Sequence, residues 1–348
     1  MRATGVGSMP GTDIDEAARV VVGEVPTLPH LPELPARGVG ADLVGRGASL
    51  LAGIPVEVYG GRWQVARLPG REQRAARRWL AEDLLGFSLA ASGGAGPIKI
   101  QATGPWTLSA TLRSSRGHLL LADPAAQRDV AAALGEGIRE HCAEAATLIP
   151  GRRLVVQIDE PMLAAVVAGT LPRASGMGRL PPVPGPEVAE VLRATVEMIR
   201  GLSPAGGSPD AETPLVVLHT CAADPPLGVL AGVGLAGVSV DLRLLGAARL
   251  PALEGLLSEG ADLWAGVVPS TAPASVSGAA PGPGHEALVQ AGEATVRKLW
   301  HLLGWAEIDA VVRTLVTPTC GLAGASPAYA RQALAAAHAI GEGLASRA

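Results

Sequence analysis

Four apolar runs in this sequence stop at residues that can bind a metal or move a proton. L-V-V-Q-I-D-E-P ends in Asp159 and Glu160, P-L-V-V-L-H-T-C in His219 and Cys221, G-V-S-V-D-L in Asp241, and L-V-T-P-T-C-G in Cys320. Charged residues make up only 17% of the chain, against about 25% in an average domain, so their placement carries information. His219 and Cys221 are two apart. On a strand such residues face the same way, and both can address one ion. Cys320 would add a second soft donor and Asp241 an oxygen. One nitrogen, two sulfurs and a carboxylate suit zinc, tetrahedral and with one position exchangeable. Donors spread over several strand ends suit a site built around a substrate better than a purely structural clamp.

Each of these residues also has a plainer use. Asp159 and Glu160 could hold a ligand amine and carry the chemistry, or could form a buried ion pair or a helix N-terminal acid before Pro161. The opening T-G-V-G-S-M-P-G-T breaks into a Gly/Pro turn, where Ser8 and the following amides could bind a carboxylate or simply turn the chain. Cys142, inside E-H-C-A-E-A, reads as packing. His141, His301 and His338 read as helix-face residues, and Trp264, Trp300 and Trp305 as core or helix packing.

The elements that must position these groups follow from the pattern. Strands are expected at Arg2–Ser8, Ile54–Gly60, Pro97–Gly104, Arg153–Asp159, Pro214–Cys221, Gly237–Leu242, Asp262–Val268 and Arg313–Cys320. Helical patterns lie between them, at Gly70–Phe87, Pro124–Leu148, Pro186–Leu202, Pro251–Gly260, His285–Leu303 and Ser326–Ala345. Several open with Pro or Ser, a good start signal. Strands alternating with helices imply parallel pairing with right-handed crossovers. Eight such strands suit an α/β fold of the (β/α)8 TIM-barrel type. A doubly wound sheet would give the same alternation. The C-terminal ends of parallel strands, where the polar residues fall, are where either fold builds its site. Long loops are expected at Leu171–Gly185, Ser203–Thr213 and Ala272–Gly284. No internal repeat or linker divides the chain, so one domain is expected over residues 1–348.

Composition excludes several classes. With 48% hydrophobic residues among 348, the chain can bury a large core and is not globally disordered. Gly (45) and Pro (29) are plentiful but together stay short of the roughly 25–30% of low complexity. A net charge of −4 and no basic stripe argue against nucleic acid as a partner. The richest basic stretch, Arg71 to Arg78, is interrupted by Glu72 and Gln73 and reads as a solvated helix face. No apolar stretch reaches membrane-spanning length, and the N-terminus has no secretory h-region. Three cysteines make no disulfide framework. A cytoplasmic location is expected.

The motifs G-V-G-S-M-P-G-T (5–12), Q-A-T-G-P-W-T-L (101–108), V-Q-I-D-E-P (156–161), H-T-C (219–221), V-S-V-D (238–241) and T-P-T-C-G-L (317–322) resemble, in order, those of the C-terminal catalytic barrel of cobalamin-independent methionine synthase. The wider group includes uroporphyrinogen decarboxylase. The sequence is most similar to short, single-barrel relatives that lack the N-terminal half. The resemblance implies zinc held by His219, Cys221 and Cys320, with Asp241 where the family has a glutamate ligand. It implies Asp159 on the amino group of homocysteine, Ser8 helping to hold the amino acid, and Glu160 as the neighbouring acid. The implied activity is methyl transfer to a thiol, homocysteine giving methionine. The donor would be methyltetrahydrofolate or another methyl carrier, including one presented by a separate carrier protein. Two family features have no counterpart. The position of a tryptophan important for folate is held by Thr111, and no histidine follows the seventh strand before His285. A zinc barrel that binds a thiol ligand without catalysis, and a porphyrinogen decarboxylase-like enzyme, are the alternatives.

Overall fold

The computed structural model describes residues 2–201, 213–272 and 284–346. Strands β1 (Val56–Tyr59) and β2 (Arg62–Val65) form an antiparallel hairpin. The other strands are β3 (Ile98–Thr103), β4 (Leu154–Asp159), β5 (Leu215–Thr220), β6 (Gly237–Asp241), β7 (Asp262–Val268) and β8 (Thr314–Pro318). They form a six-stranded sheet in sequence order, every neighbouring pair parallel. Each strand is short, β-branched and buried on both faces, as parallel sheets covered by helices require.

The expected eight parallel strands in one barrel are not what the described residues form: six make the parallel sheet and two a separate hairpin. Ile54–Gly60 belongs to the hairpin and not to the parallel sheet. Gly60 and Gly61, with φ of 56° and 74°, make the two-residue turn that joins antiparallel strands. Residues 2–9 run beside β8 through a single bridge, Ala3 to Val316, with Thr4 N donating to Val316 O at 3.1 Å and Val316 N to Arg2 O at 2.9 Å. Residues 28–34 run beside β3 through His30 and Lys99, and beside residues 2–9 through Ser8 and Glu33. The two outer strands of the sheet are thus linked by extended segments with only isolated bridges. The reason lies in the chain: Pro26, Pro29, Pro32 and Pro35 recur every third residue, and a residue without an amide proton cannot sustain a ladder.

Helices pack on one face of the sheet. They are α1 (Ile14–Glu24), α2 (Leu43–Ser49), α3 (Arg71–Ala91), α4 (Pro105–Thr111), α5 (Pro124–Leu148), α6 (Leu163–Ala168), α7 (Gly185–Arg200), α8 (Leu250–Ser258), α9 (His285–Leu302), α10 (Glu307–Val312) and α11 (Pro327–Ser346). Several carry the start signals read in the sequence. Asp13 caps α1 by accepting from the Asp15 and Glu16 amides, Asp123 accepts from Ala125 ahead of α5, and Pro stands in the first turn of α4, α5, α7 and α8. Side chains alternate across each strand. Ile98, Ile100, Val156, Ile158, Val216, Leu218, Val238 and Val240 join the helices in the main core. Their neighbours point the other way, where Leu28, Val155, Val217, Trp264 and Leu315 form a second apolar cluster. Beside that plug and on toward the C-terminal ends of the strands, the same face carries polar residues, with Lys99, Gln101, Gln157, Asp159, His219 and Ser239 all buried.

Cys142 is buried in α5, as packing requires, and Trp264 and Trp300 are core residues. Trp305 is half-buried, with the Arg313 guanidinium 5.5 Å over its ring. His141 is buried on α5, and both its ring nitrogens are without a hydrogen-bond partner among the described residues. Burial pushes it down to about 3. Arg71 and Arg78 are exposed on α3, as a solvated face should be. Leu171–Gly185 follows α6 and not β4 directly, and contains one small antiparallel bridge, Pro172 to Arg179. The expected loops Ser203–Thr213 and Ala272–Gly284 lie almost wholly outside the described residues. Among those residues no helix is long and apolar enough to cross a membrane.

Candidate metal centre

His219 sits near the C-terminal end of β5, one residue from Thr220 and two from Cys221. Cys320 follows β8. One ligand atom from each of His219, Cys221 and Cys320 lies within 4.8 Å of the others. The two sulfurs, 99 residues apart in sequence, are 3.0 Å apart and share a hydrogen bond. That shared proton and burial push the Cys221 thiol up. Cys320 goes the other way, pulled down to about 4 by the bond from Cys221 and by His219, against the cost of burial.

The imidazole is oriented by the neighbouring strand. His219 and Ser239 are register partners on β5 and β6, and Nδ1 lies 2.9 Å from Ser239 Oγ. Nε2 is buried without a partner among the described residues. A buried ring nitrogen left unpaired is costly. Here it stands in a group with two thiols, and its other nitrogen is fixed by a hydroxyl, as metal-bound histidines are. One imidazole and two thiols are donors of the kind zinc takes, with a fourth position left for an exchangeable ligand. The residues present therefore fit the ion.

Asp241 stands outside this group. Its carboxylate accepts from Arg243: Nε to Oδ1 at 3.1 Å, Nη2 to Oδ2 at 2.9 Å, and the backbone amide to Oδ1 at 2.9 Å. A carboxylate so occupied has a partner of opposite charge and no need of an ion.

Asp159 lies beside His219 as its register partner on β4. Burial pushes its carboxyl up to about 7, Glu33 adding to the shift, while His219, Lys99 and the Gln157 amide pull it down. Gln157 Nε2 donates to Asp159 Oδ1 at 2.7 Å and to Val6 O at 2.8 Å. Gln157 Oε1 in turn accepts from Lys99 Nζ at 2.7 Å, which also donates to Val6 O at 2.7 Å. The order of donors and acceptors fixes the amide's orientation. A relay thus runs from the polar floor to the carboxylate at the strand end.

Glu160 faces elsewhere. One oxygen accepts from the Trp106 amide at 2.9 Å, the other from the Thr107 amide at 2.8 Å and the Thr107 hydroxyl at 2.6 Å. These are the unpaired amides at the start of α4, so Glu160 caps a helix that its own segment does not belong to. Burial pushes its carboxyl up to about 7, and the three donors pull it down. With both oxygens spent, it is a positioning group and not a second acid facing the metal centre. Gly104 is glycine because Glu160 lies where its Cβ would be. Ser8 does come to the site: its hydroxyl lies against Gly321, next to Cys320, and its carbonyl accepts from the Leu322 amide at 2.8 Å.

Sequence reading missed Lys99, Gln101, Gln157, Glu33, Ser239 and Arg243. A signal existed for the strand residues. Lys99, Gln101 and Thr103 alternate with Ile98, Ile100 and Ala102, as do Gln157 and Asp159 with Val156 and Ile158. That period of two puts polar groups on one face of a strand buried on both.

No family model matches the chain, and no curated protein matches it. Among solved structures, a B12-independent methionine synthase from Shewanella sp. W3-18-1, determined with selenomethionine, is similar to it with a TM-score of 0.50 and 15% identity, over 82% of this chain and 71% of that one. At this identity the likeness is one of fold.

Proposed function

We propose that the chain is a zinc-dependent methyltransferase that moves a methyl group to a thiol, with homocysteine or a close analogue as acceptor. The observation that carries this reading is the convergence of His219, Cys221 and Cys320, with a buried Nε2 that has no other partner. Those three residues would hold the zinc. When bound, zinc would supply a thiolate at neutral pH from a thiol that alone, with a pKa near 8.5, is only a few per cent ionised. Two cysteine ligands keep the site electron-rich, which preserves the nucleophilicity of an incoming sulfur.

The remaining residues bind and orient. Asp159, held in place by Gln157, would take the substrate ammonium. Ser8, beside Gly321, would take the carboxylate end. Glu160 fixes the start of α4. Fixing the acceptor in this way removes translational freedom before the reaction. We read the fold as a (β/α)8-type barrel whose first two staves are the irregular segments 2–9 and 28–34, in one domain. The fold likeness to a methionine synthase supports the same reading. The partners would be a small thiol and a methyl donor, in a reducing compartment where the cysteines remain ligands. A second reading, a barrel that holds zinc and a thiol without turnover, rests on Thr111. Its hydroxyl turns back onto the Thr107 carbonyl at 2.7 Å and offers no ring for a flat donor to stack on.

The test is zinc content per chain and methyl transfer to homocysteine, with methyltetrahydrofolate and methylcobalamin as donors. Zinc near one per chain is expected, with Cys221→Ser and Cys320→Ser each losing most of it. Full zinc in either variant would overturn the shared site. Zinc without transfer from either donor would favour the second reading.

A further inference from the structure

The tip of β6 carries a unit that the metal group does not use. Asp241 is 5% exposed, whereas the side chain of Arg243 beside it is 48% exposed. The guanidinium spends Nε and one Nη2 proton on the Asp241 carboxylate. The other Nη2 proton goes to Thr319 Oγ1 at 3.1 Å, one residue before Cys320. Arg243 therefore spans from β6 to the end of β8. Gly266 on β7 lies between the two strand ends, packed closely against both. A Cβ there would stand 2.7 Å from Val240 O and 3.1 Å from Thr319 Cα. Among the described residues Nη1 donates to nothing, so its two N–H groups remain available on a half-exposed side chain at the C-terminal ends of β6 and β8.

A guanidinium fixed on a buried acid and open along one edge is a prepared anion receptor. Its geometry is set before a ligand arrives, so little side-chain entropy is lost on binding. The open edge is a single nitrogen, which suits one carboxylate oxygen. We propose that Arg243 Nη1 holds a carboxylate of a substrate, and that Asp241 serves to hold Arg243 and not the metal. The inference rests on the methyl-transfer reading for the identity of the substrates, but the receptor itself does not require catalysis. The carboxylate could come from the thiol acceptor or from the methyl donor, and the experiment separates the two.

Calorimetric titration of the zinc-loaded protein uses two matched pairs of probes. Homocysteine is compared with 3-aminopropanethiol, which lacks the carboxylate. 5-Methyltetrahydrofolate is compared with 6-methyltetrahydropterin, which keeps the reduced ring and lacks the acid tail. Arg243→Met is expected to weaken one carboxylate-bearing probe roughly 10- to 100-fold, the loss of one charge-assisted hydrogen bond, and to leave its carboxylate-free partner unchanged. Arg243→Lys should recover part of the loss. Asp241→Asn should weaken the same probe while zinc content stays that of the wild type. The proposal is overturned if wild type binds neither carboxylate probe, if Arg243→Met leaves both carboxylate probes unchanged or weakens a carboxylate-free partner as much as its carboxylate-bearing one, or if Asp241→Asn loses zinc. Arg243-dependent binding without methyl transfer would sink the methyltransferase reading and leave the receptor standing. Methyl transfer indifferent to Arg243 would do the reverse.

Discussion

Lys99 is 0% exposed, yet its ammonium has three acceptors, the Val6 carbonyl and the amide oxygens of Gln157 and Gln101. Burial lowers its pKa from 10.5 to about 7, against the pull of Asp159 and Glu33. Between those values the unfolded chain binds a proton that the folded chain does not. The folded state therefore gains as pH rises from about 7 toward 10.5, and loses as pH falls through that window. Lys99→Met deletes this slope. Urea unfolding of both proteins across the window should show wild-type stability climbing relative to the variant, by on the order of a few kcal/mol in all. A difference that stays flat would refute the buried, depressed lysine. The His219, Cys221 and Cys320 group was legible in the sequence because soft donors at strand ends are rare enough to be noticed singly. Lys99 and Gln157 were not, because a polar residue in mid-strand is ordinarily turned to solvent. Only the burial of both sheet faces shows that here it has to be paired.

At the scale of elements, Glu160 and α4 show how a site residue can be misread. The D-E-P motif places two acids side by side, but adjacent residues in extended chain point to opposite sides, so only one of them can face the His219, Cys221 and Cys320 group. Asp159 does, and Glu160 becomes the acceptor for the first amides of α4. Glu160→Ala would leave two buried amides unpaired, and is expected to cost on the order of 3 kcal/mol by chemical denaturation, with zinc content unchanged. Loss of zinc with no loss of stability would return Glu160 to the site. The six parallel strands and the long helices were legible from their β-branched runs and capping residues. The extended segments 2–9 and 28–34 beside the sheet were not. The β1–β2 hairpin offered a better strand signal than the proline-rich segment 28–34, whose extended path is set by ring geometry and not by apolar periodicity. Helices as short as α2, α4 and α6 were below the length at which helical periodicity is visible.

For the molecule as a whole, the sheet holds its site from opposite ends of the sequence. Residues 2–9 bring Ser8 to the turn after β8, while β4 and β5 supply Asp159 and His219 from mid-chain, so no contiguous fragment contains the pocket. The closeness of Cys221 and Cys320 has a further consequence for an empty centre. Without an ion between them, one sulfur is poised as thiolate against the other. An oxidant such as diamide can then accept the two hydrogens and leave a cystine that bolts β5 to the end of β8 over the mouth. Treatment of the metal-stripped protein should silence both thiols in a titration under native conditions and block zinc reloading until dithiothreitol is added. Protein already carrying zinc should resist. The same pair that would grip the ion would, on losing it, seal the entrance.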